Sequence, residues 1–217
     1  MQGNSQHLIA YEGWKILYFL ALLSLAGGLY ASWFTGVLLF LMLAGLGFIL
    51  RNPHRAIPSA PLAVVSPASG VVTEVSEVED DWLSRPATRL RIRISLWDVH
   101  ILRSPVEGKV MKQWAAPEPD LKGFDRRYTY WIKTDEDDDV VLSLVLGKWS
   151  PFTRVFFITG DRLGQGQACG FLYYTGLIEV LMPESARINI KPGERLESGS
   201  NILGNFVHEN GSSVIGQ

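Results

Sequence analysis

The sequence predicts a mainly β fold, a compact sandwich or barrel with internal pseudo-symmetry, preceded by an N-terminal transmembrane helical hairpin. Three observations carry that expectation. Residues 16–50 contain no Asp, Glu, Lys or Arg. Past residue 51 the apolar residues fall in short runs, several alternating with period two. Two stretches of that second region each occur twice.

Residues 1–15 read as a tail. A spanning helix needs about 20 apolar residues, so the uncharged run at 16–50 is too long for one helix and long enough for two short ones. Gly27-Gly28 and residues 32–36 supply the break and the turn, and Trp14 and Trp33 sit where interfacial aromatics belong. Lys15 flanks one end; Arg51 and Arg55 flank the other. Positive flanks stay in the cytoplasm, which places both ends, and the domain that follows, on the cytoplasmic side of a membrane. A signal peptide fits poorly, because no small-residue cleavage site precedes the polar part.

Residues 51–204 form the β domain, and 205–217 a flexible tail. "RNPHRAIPSAP" has three prolines in eleven residues and reads as an irregular connector. The strand-like runs after it are "LAVVS", "GVVTEV", "RLRIRISL", "KVMKQW", "YTYWIKT", "VVLSLVL", "RVFFIT", "LIEVLM" and "ARINIK". No segment there carries a helical stripe. "SPASGVV" (66–72) recurs as "SPVEGKV" (104–110), and "TGDRLGQGQ" (159–167) as "PGERLESGS" (192–200). Each pairs a glycine turn with a strand, so each is one supersecondary unit used twice. Two irregularly spaced copies do not make a solenoid. "TDEDDDV" (134–140) lacks the glycine and distal glutamate of a calcium loop and reads as a solvated hairpin turn.

The formal net charge is −2, which excludes a nucleic-acid partner held by bulk electrostatics. The single cysteine, Cys169, cannot form an internal disulfide or a thiolate metal site, and reads as a core residue.

Three segments in order resemble the short membrane-anchored form of the phosphatidylserine decarboxylase family: "RNPHRAIPSAPLAVVSPASGVV", "RISLWDVHILRSPVEGKV" and "GDRLGQGQACGFLYYTGLIEVLMPESARINIKPGERLESGSNILG". The middle one is the most specific. The resemblance implies an enzyme that cleaves its own Gly-Ser bond, leaving a pyruvoyl group as electron sink for decarboxylating phosphatidylserine to phosphatidylethanolamine. It also implies that His100 and Arg103 line the active site, His100 as a proton shuttle and Arg103 on the substrate. The competing account makes residues 97–105 a structural turn, with Asp98 and Arg103 paired to each other or to backbone.

This chain departs from the family pattern at linked positions. Where the family has Gly-Ser it has Thr175-Gly176, and Gly176 carries no nucleophile. Thr175 sits one residue earlier, which on a strand turns it to the opposite face. The family's acidic residue that activates the serine is replaced by Ser69. "NGSSVIGQ" offers Ser212 as an alternative cleavage site, although the small fragment would lack a core strand. The expectation is therefore a family member leaning to a pseudoenzyme, with no pyruvoyl cofactor unless it is processed at a site such as Ser212. Its expected partners are membrane phospholipid and either a partner enzyme or further copies of itself.

Overall fold

The computed structural model describes residues 14–30, 32–49, 56–58, 60–118, 121–147, 153–172 and 175–208. Two helices come first, α1 (Trp14–Tyr30) and α2 (Trp33–Ile49), 17 residues each. Gly27-Gly28 lie inside α1 rather than breaking it. They serve close approach: a Cβ on Gly36 would stand 2.9 Å from the Cα of Gly28, and the Ser24 hydroxyl donates to the Gly36 carbonyl at 3.0 Å. The hairpin is present, but its transmembrane assignment is corrected by helix length. Seventeen residues rise about 25 Å, short of the roughly 30 Å hydrocarbon core. No helix among the described residues is long and apolar enough to cross a membrane.

The strands follow: β1 (Ala63–Val65), β2 (Gly70–Asp80), β3 (Arg85–Ile94), β4 (Ile101–Arg103), β5 (Gly108–Pro117), β6 (Arg126–Lys133), β7 (Asp139–Leu146), β8 (Thr153–Val155), β9 (Arg162–Leu163), β10 (Ala168–Leu172), β11 (Gly176–Pro183), β12 (Arg187–Ile188), β13 (Arg195–Leu196) and β14 (Ile202–Asn205). They build an eight-stranded sheet in the order β13-β2-β3-β11-β7-β6-β5-β9 and two three-stranded sheets, β1-β14-β12 and β4-β10-β8. Period-two alternation sets the faces. Leu90, Ile92, Leu142, Leu144, Ile178 and Val180 enter the main core, while Arg89, Arg91, Arg93 and Glu179 point to the other side. Trp82, from the turn between β2 and β3, meets Trp114 of β5 with ring centroids 5.2 Å apart. Four strand steps separate β3 from β5 in the sheet, so the sheet curls into a half-barrel.

The strand order reads as a two-fold repeat about the β11–β7 pair. Strands β1, β2, β3, β11, β12, β13 and β14 form one half, interrupted in sequence; β4 to β10 form the other, continuous half. The hydrogen bonds agree in detail. Ser66 Oγ donates to the Ala68 carbonyl at 2.7 Å, as Ser104 Oγ does to Val106. The Gly199 amide donates to Ser66 and the Gly166 amide to Ser104. Val72 and Glu194 are joined as Val110 and Asp161 are. A β-bulge falls between Val72 and Glu74 in one half and between Val110 and Lys112 in the other. Gly160 and Gly193 have φ of 100° and 91°, and Gly166 and Gly199 of 69° and 78°. Left-handed backbone at matching places is why both copies keep glycine there. The expected pseudo-symmetric β domain is thus a duplication in which one half is inserted into the other.

The insertion point positions everything that follows. In the continuous half, β6 turns into β7 through residues 134–138, where the Thr134 amide donates to the Asp138 carbonyl at 2.8 Å. In the split half, β3 ends at Ile94 and the chain returns only at Gly176, directly opposite it.

Candidate functional site

The open end of β3 and β11 borders a cavity of about 480 Å³ whose walls include Arg93, Ser95, Lys122, Phe124, Thr175 and Gly176. Lys122 is brought there by the loop before β6. The Phe124 amide closes a turn on the Leu121 carbonyl at 3.0 Å, and the Asp125 amide donates to Leu146, the residue paired with Gly176 across β7.

Gly176 is buried between β3 and β7. A Cβ built on it would lie 3.4 Å from the Val145 carbonyl oxygen and 3.5 Å from Leu146 Cδ2, ordinary contact distances. The fold therefore does not require glycine at this position. Gly70 differs: a Cβ there would collide with the Arg93 carbonyl. Thr175, half-buried, stands on the cavity wall.

Ser69 is buried at the start of β2, its Oγ accepting the Ser198 amide at 3.1 Å. The register runs Val71–Arg93–Leu177 across β2, β3 and β11. Ser69 and Gly176 thus lie at the same end of the sheet, two strand spacings or roughly 10 Å apart laterally. His100 precedes β4 and is 1% exposed, its ring 6.3 Å from that of Phe171. Its carbonyl accepts the Leu172 amide at 2.8 Å. His100 is thus held against β10 and does not line the cavity.

Arg103 does not line the cavity either. It is 4% exposed, its Nη1 donates to the Gly166 carbonyl at 2.9 Å, and its Cδ lies where a Cβ on Gly199 would approach to 2.7 Å. It therefore packs between the two glycine turns that repeat in the sequence. Asp98 accepts the Ser95 amide at 2.8 Å and pairs with Arg195. That pair is the counterpart of Asp135–Arg162 in the continuous half. Cys169 is buried, and burial pushes its thiol pKa up, against a smaller opposing pull from Arg103; it is a core residue. Ser212 lies outside the described residues.

Ser69, Thr175 and Gly176 thus lie at one end of the sheet, His100 is buried beside Phe171, and Arg103 packs between the glycine turns. Arg93 and Lys122, on the cavity wall, were not among the residues singled out from sequence. The signal for Arg93 is the arginine at every second position from 89 to 93. Arg89 pairs with Glu74 at 3.0 Å, and Arg91 with Glu74 and Glu179, each at 2.6 Å. The third arginine has no such acid among the described residues.

Comparison with known proteins shows the family. The family model for phosphatidylserine decarboxylase matches residues 46–204. A phosphatidylserine decarboxylase proenzyme of Carboxydothermus hydrogenoformans is 32% identical over 207 residues, covering 91% of this chain and 96% of the relative. One from Symbiobacterium thermophilum is 31% identical over 212 residues, 94% and 98% of the two chains. One from Nitrosomonas eutropha is 28% identical over 206 residues, 92% and 95%. No solved structure matches. With a match across the β domain and relatives aligned along nine-tenths of its length, this chain belongs to the phosphatidylserine decarboxylase family.

Proposed function

We propose that this family member does not process itself and acts in phospholipid metabolism by binding phospholipid at the open strand end. The observation that carries the reading is Gly176. Self-cleavage needs an oxygen on the side chain that follows the scissile bond, and position 176 has no side chain. The residues at this strand end do not fit a pyruvoyl group. Thr175 does not replace the nucleophile: it stands one residue before the strand, and elimination from a threonine would leave a ketobutyryl group rather than pyruvoyl. Ser69, where the resemblance places a carboxylate, spends its hydroxyl oxygen on the Ser198 amide and cannot hold a protonated base as an ionised carboxylate does.

A lipid ligand is supported by the hairpin. Tyr18, Phe19, Leu22, Leu29, Trp33 and Phe34 on its arms are each more than 60% exposed. An apolar surface of that extent is unfavourable in water and suited to an acyl environment. It seats the chain at a bilayer without requiring a full span.

The test is the intact mass of the full chain purified in detergent. A single species with the mass of all 217 residues is expected. Two fragments, the smaller with a carbonyl-reactive N-terminus, would overturn the reading. A new terminus at Ser212 would identify the alternative, an active decarboxylase processed at an atypical site.

A further inference from the structure

We infer that Arg93 and Lys122 form a phosphate-binding subsite in the cavity beside Gly176. The ligand chemistry is a phosphate group on an amphiphile, and the inference rests on the proposed binding of phospholipid at this strand end. Both cations stand on the wall of one cavity of about 480 Å³, and both are exposed. Neither forms an ion pair among the described residues. Their neighbours on the same face are neutralised: Arg89 and Arg91 share Glu74, and Glu179 bridges Arg91 and Arg127. Among the described residues, no acidic side chain lines this cavity. Two cations on one concavity, with no acidic neighbour among the described residues, favour an anion, and an arginine guanidinium suits phosphate oxygens in particular. The Thr175 hydroxyl adds a hydrogen-bonding group to the wall.

The rim argues for an amphiphile. Ser95, on the wall, leads into Leu96 and Trp97, 38% and 69% exposed. Trp97 in turn packs against Phe48 of α2 with ring centroids 6.5 Å apart. The cationic cavity is therefore continuous with an apolar loop and the apolar hairpin. A phosphate lodged between Arg93 and Lys122 would leave its acyl chains along Leu96, Trp97 and α2.

The experiment titrates the detergent-solubilised full chain with dihexanoyl phosphatidylserine and, separately, with inorganic phosphate. It is run on the wild type, on the double variant Arg93→Gln/Lys122→Gln, and on Lys191→Gln as an exposed control. The double variant should bind the short-chain lipid at least about tenfold more weakly, the scale of losing charge-assisted hydrogen bonds, while the control is unchanged. Competition by inorganic phosphate, lost in the same variant, would identify free phosphate as the anion the subsite takes. Failure of phosphate to compete would identify the lipid headgroup. Undiminished lipid binding by the double variant, or none by the wild type, overturns the subsite. If the chain remains uncleaved in that case, the lack of self-processing survives; a cleaved chain sinks that reading instead. Should the double variant not fold, Lys122→Gln alone, in an exposed loop, decides the matter.

Discussion

The split half and the continuous half of the β domain share strand order, glycine turns, the position of a β-bulge and the serine hydroxyl that braces each entry turn. They differ in what joins their third and fourth strands. The continuous half crosses from β6 to β7 in a five-residue turn, tied by Lys133–Asp137 at 2.7 Å and with Asp137 at φ 74°. The split half opens the equivalent hairpin and inserts the other half there, so Thr175 and Gly176 sit at a strand end with room beside it. Equal strand geometry gives a sealed turn in one place and a cavity in the other. The candidate site is a product of connectivity.

Charge separates the halves as well. The register sets Glu179 opposite Arg91 in the split half and Val141 opposite Trp131 in the continuous half. After the bulge, Glu74 stands in one half where Lys112 stands in the other. The network from Glu74 through Arg91, Glu179 and Arg127 to Glu118 therefore draws most of its members from the split half. Glu179 is 1% exposed and Glu118 6%. Ionised groups buried that deeply are tolerated because each has a guanidinium partner.

The sharpest way to extend the comparison is to restore chemistry to the open hairpin. The variant Ser69→Asp/Thr175→Gly/Gly176→Ser supplies the missing hydroxyl and carboxylate, and the space at Gly176 accepts a side chain. Two fragments by intact mass are expected where the wild type gives one. A whole chain would mean that more than these residues separates this protein from a self-cleaving one.

A second test asks whether the halves are mechanically equal. A Cβ on Gly70 would collide with the Arg93 carbonyl, and one on Gly108 with the Lys133 carbonyl. Gly70→Ala and Gly108→Ala should each lower stability by about 2–3 kcal/mol, the scale of overpacking against backbone, read from denaturant midpoints. Losses differing by more than a factor of two would break the equivalence.

The smallest effect concerns acid. Glu74 has its pKa lowered from 4.5 to about 2, first by the Ser76 hydroxyl and then by Arg89 and Arg91. Because the folded value is depressed, its contribution is complete above pH 4.5 and is lost as pH falls toward 2. The side chain is 37% exposed, so solvent screening keeps the contribution modest. Glu74→Gln should flatten the acid limb of stability against pH in that window. An unchanged limb would take the acid response away from the split half.

Much of the fold was legible. The longer runs rich in β-branched and aromatic residues became β2, β3, β5, β6, β7 and β11, because such side chains between turn signals favour extended, paired backbone. The two repeated motifs marked a duplication, since glycine at a left-handed position is demanded wherever that turn recurs. The short strands β4, β9, β10, β13 and β14 were not assigned as strands. Strands of two to five residues are held by partners distant in sequence, and little in their own composition marks them.

The sequence by itself determined that position 176 has no hydroxyl, that residues 16–50 are uncharged and that two turn motifs occur twice. These are matters of covalent composition and local backbone preference, and no packing alters them. Tertiary structure decided the rest: that one half is inserted into the other, that Arg103 is spent on the Gly166 carbonyl, and that Arg93 and Lys122, 29 positions apart, share a cavity wall. Strand order and the path of a loop across a neighbouring strand depend on contacts between distant segments, and those exist only once the sheet has closed.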